Sequence, residues 1–202
     1  MTTKRDAQVL AASLAAASIC TLRIFTAPAV ADPALRPCGP TLIENGSFEH
    51  GAAAGSYTTL KAGSTAIDDW AVTTGSVDIV GSLWPASDGE RSVDLDGVSF
   101  GGISQAFKTE PDKTYVVSFD LAGNGYGLPA VKRMKVSAAG KSAQFSYDLH
   151  DRPTTNKGWR LDSWQFVAKD KSTTLEFDSL DTENGYFGPV LDNVRVQATC
   201  SS

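Results

Sequence analysis

Histidine is nearly absent: among 202 residues only His50 and His150 occur, and they stand apart in the chain. That scarcity removes the commonest general base and the commonest metal ligand, and neither residue belongs to a His-Glu-x-x-His pair. No phosphate-binding glycine-lysine loop is present, so nucleotide chemistry lacks its usual signature. Long apolar runs are missing beyond the first 31 residues, which excludes a membrane-spanning helix from the rest of the chain. Positive charge is in short supply as well, with 18 Lys and Arg against 23 Asp and Glu. An acidic surface repels phosphate backbones and anionic headgroups, which makes nucleic acid and membrane surfaces poor partners and leaves polysaccharides open.

What is present begins with an export leader. Lys4 and Arg5 precede an alanine-rich apolar stretch, and Ala29-Val30-Ala31 has the small-x-small form of a signal peptidase site, so residues 1–31 read as a signal peptide. Removing Lys4, Arg5, Arg23 and Asp6 leaves 15 Lys and Arg against 22 Asp and Glu, a net charge of −7. The expected mature chain is soluble and secreted, with a short irregular lead-in over 32–40 and a single domain over 41–200. Cleavage also removes Cys20 and leaves Cys38 and Cys200 at the two ends of that domain. In an oxidising compartment such a pair reads as a structural disulfide worth about 2–5 kcal/mol, against the alternative of two free thiols or a metal pair.

Periodicity points to strands throughout. Tyr115, Val117, Phe119 and Leu121 alternate with Val116, Ser118 and Asp120, the period of two that one buried face requires. Val131–Ala138 and Lys141–Asp148 flank Ala139-Gly140, a hairpin signal. Trp164 and Phe166, Leu175 and Phe177, and Val93 and Leu95 repeat the alternation, and Asn45–Gly51 is expected as a further short strand edge ending in a turn. Glycine-punctuated strands at intervals of about ten residues with no helices between them predict an all-β antiparallel sandwich, a jelly roll in form.

Five blocks in order carry a family resemblance: Leu42 to Glu49, Ile67 to Trp70, Asp88 to Gly97 with its Arg-Ser-Val-Asp-Leu-Asp-Gly core, Ser118 to Asn124, and Tyr186 to Val194. Over residues 41–197 the chain resembles the choice-of-anchor C family, which is similar to the cell-wall proteins of the domain-of-unknown-function 642 family. The resemblance implies a galactose-binding-like jelly roll on an exported, wall- or surface-associated protein. The chain stops at Cys200-Ser201-Ser202 with no sorting signal, so a covalent surface anchor is not expected. The resemblance further implies a structural calcium between the first and last strands, with Glu49 and Asp192 as side-chain ligands and Ser47 contributing through the backbone nearby. The bland reading leaves both acids solvated or paired with Arg91 or Arg195.

A sugar site needs aromatic faces for the apolar side of a pyranose and a few polar groups for its hydroxyls. Loop aromatics beside glycines fit best, which singles out Trp84, Tyr126, Trp159 and Tyr186 with Asn124 and Asn156 as polar partners. Trp70, Phe119 and Trp164 are expected in the core. Asp94 and Asp96 share a strand face at about 7 Å by strand rise, a glycosidase-like separation. Alternating polar residues on an outer face explain that spacing equally well, so no catalytic residue is assigned. The function expected is a secreted, non-catalytic carbohydrate-binding module for cell-wall or matrix polysaccharide; the alternative is a structural or adhesive envelope protein acting through protein contact.

Overall fold

A computed structural model describes residues 35–150 and 158–201. The expected leader, its cleavage point and Asn156 lie outside the described residues. Twelve strands follow in chain order: β1 (Leu35–Cys38), β2 (Tyr57–Lys61), β3 (Ala71–Thr74), β4 (Ser76–Val80), β5 (Ser92–Asp94), β6 (Gly102–Lys108), β7 (Thr114–Gly123), β8 (Val131–Ala138), β9 (Lys141–Asp148), β10 (Arg160–Val167), β11 (Ser172–Ser179) and β12 (Pro189–Ser201). They form a seven-stranded sheet in the order β10-β7-β12-β5-β4-β2, with β1 beside β12, and a five-stranded sheet in the order β3-β6-β11-β8-β9. Every pairing is antiparallel. From β5 onward the chain passes between the sheets at almost every connection, as a jelly roll does, and no helix occurs among the described residues. None of them therefore offers a helix long and apolar enough to cross a membrane.

The two sheets close because their facing sides are apolar at alternate positions. Val77, Ile79, Val93, Leu121, Leu191 and Phe119 from the larger sheet are buried against Ile103, Met134, Val136, Leu175 and Phe177 from the smaller one. Phe119 stands edge-on to Phe145 and Phe177, with ring centroids 5.1 and 5.3 Å apart. Trp70 and Trp164 are buried too. At the β8–β9 hairpin Ala139 and Gly140 both take positive φ, 51° and 73°, as a tight two-residue turn demands.

Two expectations about the ends of the domain need correction. Residues 35–38, expected to be irregular, form an edge strand, and Pro37 is tolerated there because an edge position can dispense with one N–H. The segment Asn45–Gly51 is not a strand: Asn45 and Phe48 have φ of 49° and 60°, and the asparagine side chain holds the turn by donating to the carbonyls of His50 and Asp68 at 2.9 and 2.8 Å. Phe48, fully buried, then plugs the sandwich against Trp70 at 5.4 Å. The turn still lies beside the last strand, for Val194 N–H donates to Gly46 O at 2.8 Å. A Cβ on Gly46 would stand 2.0 Å from Val194 O, so only glycine allows this approach. Cys38 and Cys200 are joined as a disulfide, Cα to Cα 5.8 Å, closing 162 residues of chain separation.

Candidate functional site: an aromatic cleft on the outer face of the larger sheet

The outward side of β2, β4, β5, β12 and β7 is not solvent-facing along its length. Cross-strand pairing aligns Thr59 with Asp78, Asp78 with Asp94, and Asp192 with Asp120. Loops 82–91, 124–128 and 185–188 fold over this row, so Asp94, Asp96 and Asp192 are fully buried, contrary to the expectation that such alternating polar positions form a solvated face. Asp94 and Asp192 serve as tethers. Asp94 accepts from Asp96 N and Gly188 N at 2.9 and 3.0 Å and from the Asn124 side chain at 2.7 Å. Asp192 accepts from Ser87 N and Asp88 N at 2.7 and 2.9 Å, while Asp120 takes the Ser87 hydroxyl at 2.6 Å. Glu49 holds the same loop from its far end through Glu90 N and Arg91 N, both at 2.9 Å.

Burial sets the protonation of this row. It pushes Asp94 up to about 8 against the hydrogen bonds that favour its charged form, and Asp192 up to about 7 in the same way. Asp96 is raised to about 6, again by burial. Both Asp96 oxygens are buried without a hydrogen-bond partner. Ser179 and Gly101 lie near enough to favour its charge without reaching hydrogen-bond geometry. Burial raises Asp78 and Asp181 as well. Among these acids sits Lys132, wholly buried, its pKa lowered by desolvation despite the attraction of Asp181, Asp94 and Asp96. Its ammonium donates to Gly127 O at 3.0 Å and to Phe187 O. One cation thus joins the two loops that carry Tyr126 and Tyr186. Gly127 is needed there, since a Cβ would stand 2.2 Å from the Phe187 ring.

Between these tethered loops and the β2–β4 edge lies a cleft of about 560 Å³, lined by Trp84, Asn124, Tyr126 and Tyr186 among the expected residues. Tyr126 and Tyr186 are 47% and 54% exposed. Trp84, expected as a surface platform, is only 4% exposed; its indole N–H donates to Ser92 Oγ at 3.0 Å and its ring stacks under Tyr126 at 6.4 Å. Asn124 is also buried, with its side chain engaged by Asp94 and Tyr126 N, so it shapes the loop rather than the opening. Trp159 does not line the cleft; it is half-buried and supports the 82–91 loop by donating to Pro85 O at 3.2 Å. Tyr57, Thr59 and Asp78 join the lining without having been anticipated. The strand alternation of Tyr57 and Thr59 was a signal, but nothing local tied it to loops as much as 129 residues away. By contrast, a hollow of about 620 Å³ beside the β8–β9 turn is lined by Lys135, Lys141, Lys169 and Glu176 without an aromatic ring.

Glu49 and Asp192 do come to the same loop, and Ser47 lines a neighbouring hollow with Asp88 and Arg195, whose charged groups are 3.9 Å apart. No three His, Cys, Asp or Glu side chains among the described residues are grouped as a metal would require. The amide donors on Glu49 and Asp192 give those carboxylates a bracing role as placed. Asp94 and Asp96 are sealed beneath the loops. A Gly-x-Ser-x-Gly elbow is not expected from the sequence, yet Gly97-Val98-Ser99-Phe100-Gly101 has that spacing of a hydrolase nucleophile. Its strand-to-helix context is missing, and Ser99 Oγ meets Ser76 Oγ at 3.0 Å instead of a histidine.

The chain belongs to the family described as Protein of unknown function (DUF642), which matches residues 41–197. Halomucin of Haloquadratum walsbyi is 33% identical over 162 residues, 78% of this chain but 2% of that protein, so the chain spans only a small part of its relative's length. Among solved structures, the family 35 carbohydrate-binding module from Clostridium thermocellum is similar at 13% identity, covering 70% of this chain and 98% of that one, with a TM-score of 0.47. TmCBM61, solved with β-1,4-galactotriose, shows 16% identity over 79% of this chain and 99% of its own, with a TM-score of 0.47. The CBM22-1 xylan-binding domain of Paenibacillus barcinonensis Xyn10C shows 16% identity, 75% and 100% coverage and a TM-score of 0.44.

Proposed function

We propose that this domain is a secreted, non-catalytic carbohydrate-binding module whose ligand site is the cleft between the β2–β4 edge and loops 82–91, 124–128 and 185–188. The observation that carries this reading is the convergence of Tyr57, Tyr126 and Tyr186, from three distant stretches, on one cleft with polar groups at its floor. Exposed rings offer flat apolar area at small entropic cost, and Thr59 and Asp78 are placed to meet hydroxyls. The burial of Asp94 and Asp96 under tethered loops favours a binding role over hydrolysis. Titration of the protein with a panel of soluble wall oligosaccharides, followed by amide chemical shifts, tests the proposal. Shifts confined to residues around Tyr57, Tyr126 and Tyr186 are expected, and an unresponsive spectrum across the panel overturns it.

A cation between Glu49 and Asp192 is proposed separately. Calcium there would have to take over oxygens that the loop amides hold. A rise in melting temperature with calcium, reversed by chelator and lost in Glu49→Gln, is the outcome that sustains it; an unchanged melting curve leaves the hydrogen-bonded brace.

A further inference from the structure

We propose that the cleft selects a sugar carrying a free ammonium group, an unacetylated 2-amino-2-deoxyhexose, with Asp78 as its counter-charge. The inference rests on the reading of the cleft as a sugar site and narrows it. Among the described residues Asp78 is the one charged side chain lining the cleft, and no lysine, arginine or histidine of theirs lines it. Projecting from β4 onto the floor, it is 8% exposed, and its Oδ1 accepts the Thr59 hydroxyl at 2.6 Å. The ion pairs among the described residues are Lys113–Glu110, Lys135–Asp178, His150–Asp148, Arg160–Asp162 and Arg195–Asp88, so Asp78 has no cationic partner in the fold. A desolvated carboxylate without a counter-ion is disfavoured as an anion, which is the direction in which burial moves it.

The rest of the cleft agrees with a cation. Tyr57 and Tyr186, 53% and 54% exposed, stand at its rim with Tyr126, and the negative faces of such rings attract ammonium groups. A cationic ligand also meets a chain of net charge −5. N-acetylation removes the charge, and a uronic acid brings a second anion to Asp78. Both changes weaken binding on this account.

The test compares four probes on the full chain by calorimetry at pH 6: glucosamine trimer, its N-acetylated counterpart, cellotriose and choline. The glucosamine trimer is expected to bind about tenfold tighter than the acetylated and neutral trimers. Asp78→Asn is expected to erase that preference, so that the glucosamine trimer binds no tighter than cellotriose. In the wild-type protein the preference shrinks between about 0.05 and 0.5 M salt, a readout that needs no variant to fold. Equal affinity for all three trimers, or a preference that survives Asp78→Asn or high salt, overturns the amine selection and leaves the sugar site standing. Choline binding as tightly as the glucosamine trimer overturns the sugar component. No trimer binding at all removes the carbohydrate reading together with this one.

Discussion

The two faces of the larger sheet are built from the same strands, and along β4, β5 and the start of β12 both are buried, yet by opposite means. Inward, Val77, Ile79, Val93, Leu121 and Leu191 disappear into an apolar layer whose stability comes from area removed from water. Outward, one residue along, Asp94 and Asp192 are covered by loops that they themselves hold through hydrogen bonds, and Asp78 lies on the floor of the cleft beside them. The inner face would be buried in any closed sandwich. The outer one is buried only because the roof is tethered, which makes it the side where shape, protonation and binding are coupled.

The contrast can be broken most forcefully from the inner side. Phe119→Ala empties a fully buried ring site and is expected to cost about 3–5 kcal/mol in chemical denaturation, with little dependence on pH. Asp192→Ala orphans the amides of Ser87 and Asp88 and is expected to cost about 2–3 kcal/mol. Its distinctive effect is faster hydrogen exchange confined to residues 85–91, which a uniform loss of stability does not produce. Lys132→Met strands the Gly127 and Phe187 carbonyls and is expected to cost about 1–3 kcal/mol. It should weaken oligosaccharide binding as well, because Tyr126 and Tyr186 lose their common support.

pH sharpens the comparison without any mutation. Asp94, Asp96 and Asp192 have folded values of about 8, 6 and 7, above the ordinary carboxylate value of 3.8. The folded state therefore holds more protons than the unfolded one between these limits, and stability falls as pH rises from about 4 to about 8. Lys132, shifted downward, works in the opposite sense in the range below its ordinary value of 10.5, where it makes stability rise with pH. Melting temperature measured across that window is expected to increase toward acid, and a flat or inverted profile contradicts the burial argument. The smallest effect on the fold belongs to Tyr126→Ala. Its stability should stay within about 1 kcal/mol, while affinity for the cognate oligosaccharide drops about fivefold or more.

Much of this was legible residue by residue. The period of two in Tyr115–Leu121 placed β7 and its buried side, Ala139-Gly140 marked the hairpin, and the terminal cysteines proved to be partners. Asn45–Gly51 misled because its asparagine and glycine serve a turn that caps the core, with Phe48 turned inward by a positive φ. The polar alternation of Ser92, Asp94 and Asp96 misled for a related reason: a side chain's face is set by its strand, but what covers that face is set elsewhere. Trp84 and Asn124 were found near the cleft yet beneath its surface, and Tyr57, Thr59 and Asp78 were found only through their neighbours.

Alternation of apolar and polar side chains is a property of neighbouring residues, so the chain by itself determined that this is an all-β sandwich with these strands and this buried layer. Which loops roof the outer face, which acids tether them, and that tyrosines 57, 126 and 186 share one cleft depend on contacts between stretches as much as 129 positions apart. Those were decided by the closure of the two sheets, since packing and hydrogen bonding act across space and leave no periodic trace along the chain.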